Sequence, residues 1–351
     1  MLDTPVKNPV PARSVSVTGE DWVATAKACS VSADADIQEF IRANPGCTDD
    51  FQVPRRVTIE TIFGCNAKCT MCVIDHPTSR PKRVMDMELF TRIIDRLVPY
   101  QGKIQMMDFF ALGEPLIDPL LFDRIRYAKS KGFRRLAFAT NGHLLTPEKQ
   151  KGLLESGIDT VIFSLDGITK ETHEAIRIRV DYQRTVQNIE SVIRLRDGGN
   201  YKTRFIVRFV RQDANRHEWP AYRAYWSSRL SPDKNDLVTC YDMHTWGGQL
   251  AEKDEILAAA DRDPLIERAP CHHVFEKLTV LADGSIPLCS EDILDPAYGF
   301  GKVGLDDDPI QMFNSPHMRA MRQLHLAGKK TVLKGCAECT LLYSEPKRGT
   351  D

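Results

Sequence analysis

The sequence lacks an excess of charge of either sign. Its 351 residues contain 47 Lys and Arg against 48 Asp and Glu, a formal net charge of −1. This balance does not indicate nucleic acid or an anionic membrane as a partner. The sequence also lacks an apolar run of the roughly 20 residues that a membrane-spanning helix needs, and its start lacks a basic segment followed by an apolar one. We therefore expect a cytoplasmic protein with no nucleic-acid partner and no membrane partner.

Cysteine, by contrast, is plentiful and clustered. The chain has ten cysteines. Seven of them form two sets, the first being Cys65, Cys69 and Cys72 and the second Cys271, Cys289, Cys336 and Cys339. In a long cytosolic chain, clustered cysteines indicate metal binding rather than disulfides. We expect Cys29 and Cys47 to be ordinary thiols.

The first set has the spacing C-x3-C-x2-C and directly follows the apolar run 57–63. Three soft thiolates on one loop can hold three irons of a cubane iron–sulfur cluster, which leaves the fourth iron open to another ligand. Structural zinc is the alternative, but zinc usually takes four ligands from paired knuckles. The spacing therefore favours an iron–sulfur cluster with one open coordination position.

From Arg56 onward, apolar β-rich runs alternate with amphipathic helical patterns. This alternation predicts parallel strands joined by crossover helices. The predicted strands are 57–63, 104–111, 135–139, 160–165, 203–210 and 236–243, and the predicted helices begin near Asp86, Pro119, Thr146, Thr169, Tyr182 and Arg216. Six such units make an α/β fold, a partial (β/α)6 barrel, in which the chemistry lies at the C-terminal ends of the strands.

Short turn motifs stand at three of these strand ends. They are Gly113, Glu114 and Pro115 after the second strand, Asn141 after the third, and Ser164 and Asp166 around the end of the fourth. Glycine permits close backbone approach and proline fixes a turn. Each motif alone is also an ordinary turn sequence. Their positions at successive strand ends indicate one shared site.

Together, the cysteine loop and these motifs resemble the radical S-adenosylmethionine (radical SAM) family. In that family the open iron of a 4Fe-4S cluster chelates S-adenosylmethionine, and its cleavage releases a 5′-deoxyadenosyl radical that takes a hydrogen atom from an unactivated carbon. The resemblance implies an external electron donor such as flavodoxin or ferredoxin. One residue departs from the family pattern, since Met71 precedes the third cysteine where an aromatic residue is usual.

The resemblance also implies cofactor contacts. The Gly-Glu-Pro loop would receive the methionyl amino group of S-adenosylmethionine. Asn141, Ser164 and Asp166 would line the cofactor cleft. Arg177 matches the place of an arginine that pairs with the cofactor carboxylate, and Arg179 is an equal candidate by spacing.

The second cysteine set lies in the C-terminal region, where 278–289 has the pattern of a hairpin turned at Asp283-Gly284. By spacing alone, its four thiolates suit zinc and a fully ligated cluster equally. The region resembles the SPASM/Twitch extension of radical SAM enzymes in its shorter Twitch form, which implies one auxiliary 4Fe-4S cluster. The predicted division is a tail and helix over 1–50, the radical SAM partial barrel over 51–250, and a Twitch-like domain of a β-hairpin and helices over 251–351.

This layout resembles the butirosin-pathway dehydrogenase, a radical SAM enzyme that oxidises an aminocyclitol alcohol. It implies an oxidoreductase acting on a carbohydrate, aminocyclitol or sugar nucleoside in antibiotic or other specialised metabolism, with the auxiliary cluster as electron acceptor. Epimerisation, with Cys240 as hydrogen donor, and decarboxylation are alternative outcomes, and His244 is a second candidate catalytic residue. A peptide or protein side chain is the alternative substrate. A zinc-stabilised binding protein without catalysis is the alternative class.

Overall fold

The computed structural model describes residues 39, 42–250 and 262–344 of the chain. Cys29, the predicted tail and most of the predicted N-terminal helix lie outside the described residues. So does the segment 251–261, where the predicted boundary between the barrel and the C-terminal domain falls. No helix in the described part of the chain is long and apolar enough to cross a membrane.

A seven-stranded parallel sheet forms the centre of the molecule. Seven of the eleven strands in the described residues belong to it. In chain order the eleven strands are β1 Arg56–Ile59, β2 Ile62–Phe63, β3 Lys68–Cys69, β4 Arg83–Val84, β5 Met106–Asp108, β6 Leu136–Thr140, β7 Thr160–Ser164, β8 Arg177–Ile178, β9 Arg204–Arg211, β10 Leu237–Asp242 and β11 Lys277–Val280. The sheet order is β10-β9-β7-β6-β5-β1-β11, and every neighbouring pair is parallel. Two short antiparallel pairs, β2 with β4 and β3 with β8, lie beside it. The predicted α/β fold with parallel strands is confirmed.

The sheet differs from the predicted one in two places. The predicted strand 57–63 is interrupted after β1, and β2 pairs with β4 instead. The seventh strand, β11, comes from the C-terminal region and pairs with β1 along its whole length. The turn predicted at Asp283-Gly284 is present, since the N–H of Leu281 donates to the carbonyl of Ser285 at 2.8 Å. The strand before that turn belongs to the barrel sheet rather than to a separate hairpin.

Helices connect the strands and cover one face of the sheet. They are Met87–Leu97, Leu121–Ser130, Pro147–Glu155, Lys170–Ile176, Tyr182–Gly198, Trp219–Ser227, Pro264–Arg268, His273–Glu276, Pro309–Phe313, Pro316–Leu326, Lys334–Ala337 and Leu341–Ser344. Thr146 and Thr169 cap two of them, because each hydroxyl accepts the N–H three residues further on. These two caps explain why the sequence located both helix starts.

The strand register separates the two faces of the sheet. Phe209 on β9 packs against Trp219 and Tyr222, with ring centroids 5.5 and 4.7 Å apart, so its side of the sheet faces the helices. The residues in register on that side are fully buried and include Val57, Met107, Leu136, Phe138, Val161, Phe205, Val207 and Leu278. The alternate residues face the inner side of the curved sheet, which we call the lumen, and include Arg56, Asp108, Ser164, Arg208, Tyr241 and Lys277.

A buried ion pair fixes the edge of the sheet. Both guanidinium nitrogens at the tip of Arg196 donate to the carboxylate of Asp236 at 2.7 Å, and neither side chain is exposed. Asp236 stands just before β10 and also accepts the N–H of Phe205 in β9 at 2.7 Å. The pair therefore ties one helix to the start of two neighbouring strands.

We expect Arg196→Ala to destabilise the protein strongly, because it leaves the Asp236 carboxylate buried without its partner. Removing one member of a buried ion pair costs about 3–5 kcal/mol, and the free energy of unfolding can be measured by urea titration. Arg194→Ala on the same helix is the control, since that side chain is 70% exposed in its pair with Glu190, and such a pair contributes about 0.5 kcal/mol. Equal losses in the two variants would contradict the prediction.

Candidate functional site

The cysteine loop, residues 64–72, is held against the loop that follows β5. Gly64 and Gly113 form an isolated parallel bridge, and the N–H of Glu114 donates to the carbonyl of Gly64 at 2.9 Å. A Cβ at Gly113 would lie 2.5 Å from the carbonyl oxygen of Ile62, and its φ is +148°. Only glycine allows two backbones to approach this closely in that conformation.

The carboxylate of Glu114 connects the loops after β5 and β6. One oxygen accepts the Thr140 hydroxyl at 2.7 Å and the Leu116 N–H at 3.0 Å, and the other accepts the Asn141 N–H at 2.8 Å. The residue is 2% exposed. Burial raises the pKa of Glu114, and these hydrogen bonds oppose part of that rise. The carboxylate therefore holds the two loops in position.

Asn141 reaches the cysteine loop directly. Its side-chain amide donates to the side-chain oxygen of Asn66 at 3.0 Å, and its own oxygen accepts the N–H of His143 at 3.0 Å. Asn66 lies between the first two cysteines of the loop. The predicted motif after β6 is thus in contact with the predicted cluster loop.

Arg177 and Arg179, which spacing leaves as equal candidates, have different surroundings. Arg177 is buried, with Nη1 3.6 Å from the sulfur of Cys69 and Nη2 2.6 Å from an oxygen of Asp166. Asp166 is fully buried and also accepts the N–H of Val210 at 2.7 Å. Arg179 is exposed. The geometry therefore favours Arg177 as the arginine of the site.

Two further contacts to the cysteine loop were not predicted. Gln212, just after β9, accepts the hydroxyl of Thr70 at 3.0 Å. Trp246, in the loop after β10, donates its ring N–H to the carbonyl of Met71 at 2.9 Å. Only their position in the sequence could have indicated these contacts, because each residue follows the end of a predicted strand. Loops after β5, β6, β9 and β10 thus all contact the cysteine loop.

The three thiols of this loop suit a metal cluster. Burial raises the pKa of Cys65 to about 11 and that of Cys72 to about 12, and it raises the pKa of Cys69 as well. The thiolate is the form that binds metal, and a bound cation is what makes a buried thiol ionise. The Ala67 N–H also donates to the sulfur of Cys65 at 3.3 Å. These residues fit a cluster held on one side by three cysteines.

The four cysteines of the second set line one cavity: Cys271, Cys289, Cys336 and Cys339. Its volume is about 70 Å³, whereas one water needs about 10–15 Å³. Burial raises the pKa of Cys289 and Cys336, and that of Cys339 to about 12, and neighbouring thiols add to each rise. The cavity therefore has room and ligands for a group of several atoms.

His325, which sequence analysis missed, also lines this cavity. Its Nδ1 accepts the N–H of Cys271 at 3.2 Å, and its Nε2 is 3.8 Å from the sulfur of Cys336. Burial lowers the pKa of His325 to about 3. The ring is therefore neutral and carries its proton on Nε2, facing the sulfur. Such outer hydrogen bonds orient metal ligands and tune the metal.

The thiols of the second set line a cavity. Within the described ranges, no three His, Cys, Asp or Glu side chains are close enough to hold a single metal ion. A tetrahedral zinc site would need sulfurs about 2.3 Å from one centre.

A chain of contacts connects the two cysteine sites. The N–H of Glu291 donates to the sulfur of Cys289 at 3.4 Å, and its carboxylate is 3.1 Å from Nδ1 of His244. The rings of His244 and Trp246 lie 4.8 Å apart, and Trp246 bonds to the cysteine loop as described above. Burial would raise the pKa of Glu291, but its interaction with His244 holds it at about 2. The predicted catalytic residue His244 therefore lies between the two sites.

The structure also places the other predicted residues. Pro115 begins a buried helical turn, Pro115–Ile117, and Ser164 is in register with Arg208 on the lumen side. Cys240 is in register with Phe209, so its side chain belongs to the helix-facing side of the sheet. A hydrogen-donor role for Cys240 stays a prediction, and this orientation does not favour it.

Comparison with known protein families agrees with this geometry. Residues 59–207 match the radical SAM superfamily. Residues 271–340 match an iron–sulfur cluster-binding domain named SPASM. The chain thus contains a radical SAM domain followed by a SPASM domain. A radical SAM domain binds a 4Fe-4S cluster and S-adenosylmethionine, and a SPASM domain binds auxiliary iron–sulfur clusters.

The chain is also similar to individual proteins. The chain is 30% identical over 168 residues to a tungsten-containing aldehyde ferredoxin oxidoreductase cofactor-modifying protein of Pyrococcus furiosus, and the match covers 48% of this chain and 46% of that one. It therefore spans about half the length of that relative. The fold of the present chain is similar to that of BtrN in complex with AdoMet and 2-DOIA. The TM-score is 0.57 at 16% identity, and the match covers 85% of this chain and 98% of that one. The fold is also similar to that of Streptococcus suis SuiB bound to the precursor peptide SuiA, with a TM-score of 0.56, 11% identity and coverage of 79% and 68%.

We expect Glu114→Gln to weaken S-adenosylmethionine binding about tenfold. The amide has nearly the same size, but its NH2 group must face a buried donor that the carboxylate now accepts, and an unpaired buried donor costs about 1–3 kcal/mol. Calorimetric titration of the cluster-containing protein measures the affinity. Glu155→Gln, at the exposed end of the helix Pro147–Glu155, is the control. Equal affinities in the two variants would show that Glu114 does not position the site.

Proposed function

We propose that the protein abstracts a hydrogen atom from a carbohydrate, aminocyclitol or sugar nucleoside in specialised metabolism, with net oxidation of an alcohol to a ketone. The observation that carries this proposal is the pair of buried cysteine sites. The first has three cysteines, and the second has four, which can cap every iron of one auxiliary cluster. A capped cluster has no place for substrate, so electron transfer is the role that fits it.

The proposed reaction balances with one S-adenosylmethionine per turnover. When bound, the first cluster and S-adenosylmethionine supply the radical that removes one hydrogen atom from the carbon bearing the hydroxyl. The substrate then loses one proton and one electron to become the ketone. An external donor such as flavodoxin or ferredoxin supplies one electron for cleavage, and the auxiliary site receives one electron from the substrate, so the number of electrons balances. Methionine and 5′-deoxyadenosine are the other products.

The chain's own residues prepare this chemistry by holding the cofactor loops together. Glu114 and Asn141 fix the two loops beside the cysteine loop. We assign Arg177, which is paired with Asp166, to bind the cofactor carboxylate. His244, bound to Glu291, is the group we assign to accept the substrate proton between the two sites.

Modification of a peptide is the second candidate function. The likeness to SuiB in its peptide-bound form supports it, although at 11% identity that likeness concerns the fold alone. The two candidates are distinguished by measuring 5′-deoxyadenosine production by the reduced protein. Stimulation by sugars, aminocyclitols or nucleosides supports the first candidate, and stimulation by peptides supports the second. A ketone two hydrogens lighter than its substrate supports dehydrogenation. An isobaric product that gains deuterium from heavy water indicates epimerisation instead.

The two cysteine sets should contribute equally to the iron content. We expect about eight irons per chain in anaerobically reconstituted protein, falling to about four in a variant with Cys65, Cys69 and Cys72 all replaced by alanine. Iron and sulfide analysis with the visible absorption spectrum measures this. The same number from a variant of the second set would complete the assignment. Zinc in place of iron would refute it.

Substitution at the second set should separate cleavage from turnover. We expect Cys289→Ala to retain S-adenosylmethionine cleavage but to form product at least tenfold more slowly. The electron that the substrate loses on oxidation then has no acceptor. The control is Cys47→Ala, a buried thiol in the hydrophobic core that does not line the cavity. Full product formation by Cys289→Ala would remove the electron-acceptor role.

A further inference from the structure

The lumen holds a cationic side chain that has no hydrogen-bond or ion-pair partner in the described part of the chain. Arg208 lies on the lumen side of β9, level with Ser164 of β7. Among the described residues its side chain makes no hydrogen bond and no ion pair, and its Nε is buried without an acceptor. Its guanidinium carbon lies 5.3 Å from the centre of the Tyr241 ring. The rest of the side chain is partly accessible, so a ligand in the lumen can reach it.

The nearby acidic group does not neutralise Arg208. Asp108 is engaged by the guanidinium of Arg56, with one contact at 3.0 Å, and by the hydroxyl of Thr58 at 3.3 Å. Burial lowers the pKa of Arg208, and the charge of Arg56 lowers it further. Three strands separate β9 from β1 in the sheet order. The curvature of the sheet therefore brings these side chains toward one another.

A second cation lies beyond the Arg56–Asp108 pair. Lys277 of β11 is in register with Arg56, and its side chain makes no hydrogen bond or ion pair with any described residue. Burial lowers the pKa of Lys277, and Arg56 adds to the effect. The charges of Asp108 and Glu291 oppose part of the fall in the pKa of Lys277, so Arg208 is the cation of the lumen whose charge is least matched.

A buried polar group without a partner requires an explanation, and an unmatched buried charge is costly. The flat fork of a guanidinium suits a carboxylate or phosphate, which it can bind through two parallel hydrogen bonds. We infer that the substrate carries such an oxyanion, which Arg208 binds in the lumen while Lys277 adds to the attraction. This inference rests on the proposed function and narrows it to an acidic or phosphorylated sugar. The positive charge of Arg208 would repel the ammonium group of a simple aminocyclitol.

Calorimetry on the cluster-containing protein saturated with S-adenosylmethionine tests the inference without turnover. The probes are inorganic phosphate, glucose 6-phosphate and glucuronate, with glucose and the cationic glucosamine for comparison. We expect at least one anion to bind the wild type, and Arg208→Gln to weaken that binding at least tenfold. Glucuronate and glucose 6-phosphate distinguish a carboxylate from a phosphate site. Arg194→Gln, which changes an exposed arginine, should leave the affinity unchanged.

Several results would overturn the inference. They are the absence of anion binding to the wild type, equal anion binding by Arg208→Gln, and tighter binding of glucosamine than of the anions. An equal loss of S-adenosylmethionine affinity in Arg208→Gln would place the arginine at the cofactor instead. If that variant does not fold, Arg208→Lys keeps the charge but loses the fork, and an unchanged anion affinity in it would also refute the assignment.

The test of the oxyanion site can fail independently of the test of the proposed function. Formation of 5′-deoxyadenosine by the wild type reports on radical chemistry and does not depend on an oxyanion site. Cleavage without anion binding would refute only the oxyanion site. Anion binding without any cleavage would refute only the proposed function.

Discussion

The site depends on the close approach of two backbones at Gly113. Because no Cβ separates them, the loop after β5 lies directly on the cysteine loop and bonds to it through Gly64. The Glu114 carboxylate then extends this contact to the loop after β6. A larger residue at position 113 would move the loops apart, and the cysteines would lose their fixed relation to the strand ends.

Both cysteine sites are arranged so that the thiols do not ionise readily on their own. Burial raises the pKa of cysteines in each set, and metal binding must displace their protons. Part of the folding free energy of these regions therefore comes from the metal. The neutral His325 ring fits this arrangement, since it offers an N–H to a sulfur without bringing a charge into the cavity.

Local patterns in the sequence were sufficient to locate six of the seven strands of the sheet, the two helix starts at Thr146 and Thr169, and the motifs at the strand ends. They were insufficient where contacts between distant segments decide the outcome. The pairing of β11 with β1 joins residues more than 200 positions apart. Asp166 distinguishes Arg177 from Arg179 only after folding. The side on which Cys240 lies depends on strand register, and a shift of one residue would reverse it. The unpartnered Arg208 is visible only once its neighbours are known.

The seventh strand gives the C-terminal region an unusual relation to the barrel. Since β11 continues the same hydrogen-bonded sheet as β1, and Ala282 just beyond it donates its N–H to Glu60 at 2.9 Å, the two regions do not hinge about a linker there. The separation between the two cysteine sites is then set by a peptide ladder. Electron tunnelling depends steeply on distance, so under the proposed function a substrate held in the barrel would lie at a fixed tunnelling distance from the second cysteine set.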